Sequence, residues 1–432
     1  MMNNYSNINL TSKTAVERSL TQLKQAGVLA QGRFLPAANG FNPVDISVIN
    51  AKNESDALSY LPVSVLTHLH DGWCYLGMAL HSLLLNNVGL CGHAAYYAEL
   101  RAAMSFLAVN GILTLNHRGY YVDAQGGFHE LYEKEGTHQA VWNSLSHLAT
   151  LAQVSSDVVT IDDIIRPEGI PLHDWINSLT NVVGGSMSQS FHLLTSLGLD
   201  IQHYHADRDG RNKFSYSPTD IECYTNYGRK EVREIVTWFW KLFEPAAPGR
   251  SVGIDYCFLL LVLQSLRRSL ALPCKIYRRH LERVIQVLLP GKNKDLVLPR
   301  VYGKRLSYAA RIVQGSAAGG VRDNSSLHVD ILIRAGFLLE VATKATRDLL
   351  SQAGVVGADL KWWVENIQLN RLMWQAPAAG CGHLDLWDDI DFSLQSIETY
   401  APEGTKSWIQ TEAEAIENLS SAEYIMLWGL GL

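Results

Sequence analysis

Apolar residues recur at helical spacing through most of the chain, and the exceptions locate its boundaries. Residues 11–27 (TSKTAVERSLTQLKQAG) predict a capped amphipathic helix, and the polar stretch from Gly32 to Pro43 predicts a loop. A proline-free apolar segment from Asp71 to Val88 carries Leu at helical spacing. A break at Gly89–Gly92 is expected to separate it from a second helix over His93–Val109, which Gly111 ends. The pattern then changes. Ile112–Asn116, Gly119–Val122 and Phe128–Tyr132 are short, aromatic or β-branched, and divided by turn residues such as Gly126-Gly127, which predicts a small β-hairpin or meander.

Helical spacing resumes over Gly136–Ala149, with Thr137 as its N-cap, while Pro167 and Pro171 bar a continuous helix over 152–175. A polar tract, His203–Pro218, closes the first half, and helices are expected at 228–243, 254–270, 275–288 and 325–349. The apolar terminus Met426–Leu432 must dock on something, either this chain or a partner. The expected fold class is therefore mostly α, a multi-part helical bundle with a small β-hairpin inserted near residues 112–132. Its expected parts are an N-terminal helical unit with the β element (1–150), a connecting region completing it (151–220) and an all-helical unit (221–432).

Composition sharpens this picture. Hydrophobic residues make up 47% of the 432 residues, ample for a core of more than one unit. Charged residues make up only 18%, against about 25% in an average domain, so some non-core surface is expected to be apolar, as on a protein that packs against another. With 36 basic and 42 acidic residues the net charge is −6, which excludes an even cationic coat for nucleic acid but leaves room for a local basic patch. The six cysteines form no CxxC pair, and reduced, mostly buried thiols are expected. The start of the chain has no apolar signal stretch, and the most apolar run, Tyr256–Leu266, is too short for a bilayer that needs about 20 residues. No membrane partner and a cytoplasmic location are expected.

Familiar chemistry is sparse. There is no GxxxxGK[ST], HExxH or GxSxG, and no GxGxxG follows a predicted strand, so no cofactor is expected. Cys91-Gly-His93 and Cys381-Gly-His383 together hold the ligand types of a tetrahedral zinc site, but tripeptides this short recur by chance and no metal is expected. Two constellations rise above this background. At the opening of a strongly periodic helix stand Arg322, Asp323 and His328. An Arg there can hold a phosphate while a His moves a proton, the minimum for cleaving RNA through its own 2′-hydroxyl without metal. The same residues serve equally as a helix start, with Asp323, Asn324 or Ser325 capping and His328 packing. The polar tract supplies the second set: Arg208, Arg211, Asn212 and Tyr216 could contact phosphate or RNA, with Phe214 or Tyr216 stacking on a base. A structural role is open too, Arg211 fastening the tract to a carboxylate of the other half.

The run HAAYYAELRAAMSFLAVNGI, from His93 to Ile112, resembles the Tyr-Tyr-Ala helix of HEPN-type domains, small helical bundles of bacterial toxins and antiviral defence systems. Gly136-Thr137-His138-Gln139-Ala140-Val141-Trp142 is similar to a helix start in larger proteins of that kind. Arg211-Asn212 with Ser215-Tyr216 and Pro218 is similar to their closing segment, so the likeness spans residues 65–220. Active members are metal-independent ribonucleases that dimerise around an Arg-x(4–6)-His motif. By that resemblance Arg322, Asp323 and His328 match the motif, whereas Arg211 and Asn212 match only its first half, Tyr216 standing where the His would be. The favoured expectation is a non-catalytic helical interaction subunit of a bacterial antiviral-defence or stress-response complex, with Trp428, Leu430 and Leu432 at an interaction surface and a protein partner or self-association. The alternative is a HEPN-type endoribonuclease using the Arg–His pair. A small-molecule enzyme has no motif behind it.

Overall fold

The structure, a computed structural model, describes residues 5–31, 54–115, 118–133, 135–150, 157–183, 208–210, 212–214, 227–247, 250–292, 327–370, 383–399 and 413–431. Helix α1 (Lys13–Gln25) starts on Ser12, whose hydroxyl accepts from the Ala15 amide at 3.1 Å, and it is followed by a single turn, α2 (Val28–Gln31). Asp157 reaches back to the same end and accepts from the Thr14 amide at 3.1 Å. Helix α3 (Glu54–Leu84) runs 31 residues and continues through Pro62, well upstream of the expected start at Asp71. The break between α3 and α4 (Val88–Val109) falls at residues 85–87 rather than at Gly89–Gly92. Asn86 adopts a left-handed φ of 57°, which Asn tolerates better than most residues. Asn87 then caps α4, accepting from the Leu90 amide at 3.1 Å.

The expected β element is present. Strands β1 (Ile112–Leu115), β2 (Arg118–Val122) and β3 (Phe128–Glu133) form an antiparallel meander in the order β1-β2-β3. Ile112 pairs with Tyr121, Val122 pairs with Phe128, and the Thr114 and Tyr132 hydroxyls meet at 2.8 Å. The chain goes on through α5 (Thr137–Thr150), the one-turn α6 (Ile161–Ile164) and α7 (Leu172–Val183). After it come α8 (Arg229–Leu242), the short strands β4 (Pro245–Ala247) and β5 (Arg250–Ser251), α9 (Val252–Ser269) and α10 (Cys274–Leu288). The last elements are α11 (Leu327–Gln352), α12 (Lys361–Asn370), α13 (His383–Thr399), α14 (Ala413–Leu419) and α15 (Glu423–Leu430).

The molecule is a helical bundle with α11 at its centre. This helix packs along α4 and α3, so sequence beyond residue 220 fills the middle of a bundle built largely from sequence before 150. From Leu327 to Thr346 every residue is buried, and that stretch includes His328, Asp330, Arg334, Glu340 and Lys344. Charges in such a place need partners. Arg334 Nε donates to Glu99 of α4 at 3.2 Å, with both side chains almost wholly buried. Lys344 pairs with Asp255 of α9 and lies 3.3 Å from Glu340. Burial pushes the Glu340 carboxyl above its usual range, with the Lys344 charge pulling the other way. Trp73 of α3 donates to the Thr343 hydroxyl at 3.0 Å.

Helix α15 docks against α11 and α3, and Trp428, 1% exposed, meets the edges of Trp240 and Trp387 at centroid distances of 6.3 and 6.1 Å. Trp428 and Leu430, expected at an interaction surface, are thus covered by this chain's own core and present nothing to a partner. Their apolar area finds tryptophan neighbours within reach, which satisfies it internally. Leu432 lies outside the described residues. Among the described residues no helix is long and apolar enough to cross a membrane.

Two expected outcomes follow from this packing. Glu99→Gln removes the buried carboxylate paired with Arg334 and should lower stability by about 3–5 kcal/mol, while the double replacement Glu99→Leu with Arg334→Met should restore most of it. Urea midpoints of the three proteins check this, and equal midpoints for single and double variants would refute it. A chain ending at Ser421 should melt well below the full chain, because Tyr424, Ile425, Met426, Leu427 and Trp428 leave the core. An unchanged melting temperature would show that α15 adds nothing to the core.

Candidate functional site

The segments flagged by sequence converge on the N-terminal half of α4. Gly92 lies under Phe214, whose ring occupies the space a Cβ would need, and Gly210 stands in the same relation to Leu327 at the start of α11. Phe214 and Gly210 of the polar tract therefore touch α4 and α11, respectively. Phe214, a candidate base-stacking ring, is buried in that contact, so its face is already in use. Arg208 pairs with its neighbour Asp209 at 3.3 Å, and Asn212 is half-buried. Arg211 and Tyr216 lie outside the described residues.

His328 is 0% exposed, and neither ring nitrogen meets a hydrogen-bond partner among the described residues. Its ring packs 5.5 Å from that of Tyr227. Burial pulls its pKa down to about 4, so the imidazole is neutral at physiological pH. Arg322 and Asp323 lie outside the described residues. Cys91, a candidate zinc ligand, is buried, and its thiol is pushed far up by loss of water, while Cys381 lies outside the described residues.

The most distinctive surface is one that the sequence motifs did not single out. Met78 of α3, Leu85 just past its end and Leu90 of α4 are exposed, and Tyr75 of α3 with His93, Tyr97, Arg101 and Met104 of α4 are half-buried beside them. The two helices run antiparallel, so these residues lie side by side. Arg101 pairs with Asp71 at 3.5 Å, and Tyr97 stacks on Tyr75 at a centroid distance of 5.4 Å. His93 lies 4.9 Å from the Tyr97 ring. Met78 and Leu90, 46% and 43% exposed, continue the strip toward the α3–α4 turn. At its flank His138 of α5 bonds to the Tyr96 hydroxyl at 2.9 Å. Beneath it, His68 accepts from Arg101 at 2.8 Å, and burial with the adjacent guanidinium lowers its pKa to about 3.

The Tyr, Met and Arg of this strip are residue types enriched at protein interfaces, with rigid aromatic area and one cation. Among the described residues no group of three His, Cys, Asp or Glu could hold a metal ion. The apolar cleft between α8 and α11, lined by Trp238, Phe239, Ile333 and Phe337, has, among the described residues, no ionisable side chain in its lining. The recurrence of Leu90, His93, Tyr97, Arg101 and Met104 at helical spacing was the available sequence signal, offset from the buried stripe of the same helix.

No protein-family model matches the chain, no curated protein matches it in sequence, and no solved structure matches its fold.

The two depressed imidazoles set a pH dependence. Each has a folded pKa below its unfolded value, so the unfolded chain binds more protons and stability falls as pH drops below about 6.5 toward the folded values. His328→Leu should remove its part of that loss, about 2–3 kcal/mol between pH 7 and 4.5. Urea unfolding of the two proteins across that range measures the difference. Parallel stability curves would mean that His328 titrates normally in the fold.

Proposed function

We propose that this protein is a non-catalytic helical interaction subunit, binding a protein partner or a second copy of itself in the cytoplasm. The observation that carries the reading is the partly exposed strip on α3 and α4, where the exposed Met78 and Leu90 and the half-buried, stacked Tyr75 and Tyr97 lie beside the Arg101–Asp71 pair. Aromatic side chains lose little conformational entropy per area when they are covered, which makes them efficient anchors, and flexible Met fits itself to an irregular partner surface. A bacterial antiviral-defence or stress-response complex is the setting suggested by the HEPN-type resemblance of residues 93–112.

The ribonuclease alternative asks His328 to exchange protons with bound RNA. Its complete burial and lowered pKa weigh against that role. RNA cleavage in EDTA that vanishes in both Arg322→Ala and His328→Ala, with both variants folded, would replace the present reading with the nuclease.

Met78→Arg and Tyr97→Ala should each weaken the native assembly by about 30-fold or more, while the melting temperature stays within a few degrees. Phe392→Ser, at an exposed apolar position on another helix, should leave assembly unchanged. Sedimentation of the purified native complex compares the three. Full assembly in both α3–α4 variants would rule the strip out as the interface.

A further inference from the structure

The chain is acidic overall, yet residues 267–292 hold seven Lys and Arg and one carboxylate, Glu282, within totals of 36 basic and 42 acidic residues. Helix α10 displays most of them. Its apolar side, Tyr277, Leu281, Val284 and Ile285, is buried, and the helix packs against α7. Lys275, Arg278, Arg279 and Arg283 are all exposed on the other side. At 3.6 residues per turn they share an arc of about 140° and a length of about 12 Å. Arg278 pairs with Glu282 at 3.2 Å, whereas Lys275, Arg279 and Arg283 form no ion pair among the described residues. Arg267, its guanidinium 6.0 Å from the Tyr277 ring, extends the patch at the N-terminal end. Lys292 is taken up by Glu168.

Four cations this close repel one another and attract a polyanion, and three candidates differ in how well they fit. A membrane-surface helix inserts its apolar face into the lipid, but the apolar face of α10 is already buried. Only Ile276 and Val287, 44% and 69% exposed, flank the basic arc. An extended acidic peptide places carboxylates on one face about every 7 Å, so it could meet about two of the four. A nucleic-acid duplex carries one charge per about 1.7 Å of axis and can engage all four together. Single strands are held largely by stacking on aromatic side chains, and the exposed side of α10 has none, its one tyrosine being buried.

We propose that the exposed face of α10 is a sequence-independent contact for the phosphate backbone of a duplex nucleic acid. The contact lies on a helix separate from the α3–α4 strip, so one molecule could hold a protein and a duplex at once. Fluorescence anisotropy with short labelled DNA and RNA duplexes tests it, with a single strand, polyglutamate and phosphatidylserine vesicles as competing probes. Four phosphate contacts predict a slope of log affinity against log salt of about −3 to −4, and a loss of about 100-fold between 50 and 200 mM salt. Replacing Lys275, Arg279 and Arg283 together by Ala should bring the slope near −1 and cut low-salt affinity at least about tenfold. The fold should be unaffected, because all three side chains stand in solvent. Lys361→Ala, an exposed lysine on α12, should bind as the parent does. Absence of duplex binding, tighter binding to any competing probe, or a triple variant that binds like the parent would overturn the proposal.

Discussion

A helix surrounded by protein on every side cannot carry bare charge, and α11 carries several. Moving an ion from water into such an interior costs several kcal/mol even after relaxation. Arg334 and Lys344 offset that cost through ion pairs with Glu99 of α4 and Asp255 of α9, and Glu340 lies 3.3 Å from Lys344 as well. Aliphatic surfaces alone would tolerate a slide of one helical turn, about 5.4 Å, with little change in buried area. The charges do not tolerate it, because the same slide would leave a guanidinium and a carboxylate buried without each other. The ion pairs therefore set the register of α11, and other contacts inherit it: the Trp73–Thr343 bond, the seat of α15, and the Gly210 contact at Leu327. Specificity is the gain here, since an all-apolar version could be as stable.

Much of the architecture was legible where local chemistry decides conformation. The β meander announced itself through alternating aromatic and β-branched residues around a Gly-Gly turn, and its strands lie within a residue or two of expectation. The α3–α4 break was misplaced for a physical reason. Glycine was read as the residue that ends helices, but Asn86 and Asn87 make the turn, and Gly92 stays helical because Phe214 needs its missing side chain. That need is tertiary, and no local pattern reports it. The upstream half of α3, before the expected start at Asp71, contains Pro62, a residue that disfavours a helix interior. The buried neighbours Leu61, Val63, Val65 and Leu66 outweigh the one hydrogen bond that proline forfeits.

The functional reading was less legible. At the start of a helix, an Arg and a His six residues apart look alike whether they cleave RNA or cap and pack, and only the burial of His328 separates the two. The apolar end of the chain signalled a docking segment, but not that Trp240 and Trp387 would receive it. The partly exposed strip on α3 and α4 escaped notice because it interleaves with the buried stripes of the same helices. Hydrophobic periodicity reports the stronger of two faces.

The central position of α11 also bears on how the protein is made. Helices α3 and α4 leave the ribosome with Val109, while the helix that packs along both of them ends at Gln352. At roughly 5–20 residues per second, the intervening synthesis lasts on the order of ten to fifty seconds. Throughout that interval the hairpin has neither its apolar packing partner nor the cation that neutralises Glu99. The nascent chain must wait as an open half-core, shielded by chaperones or by transient collapse, until its own later sequence arrives to close it.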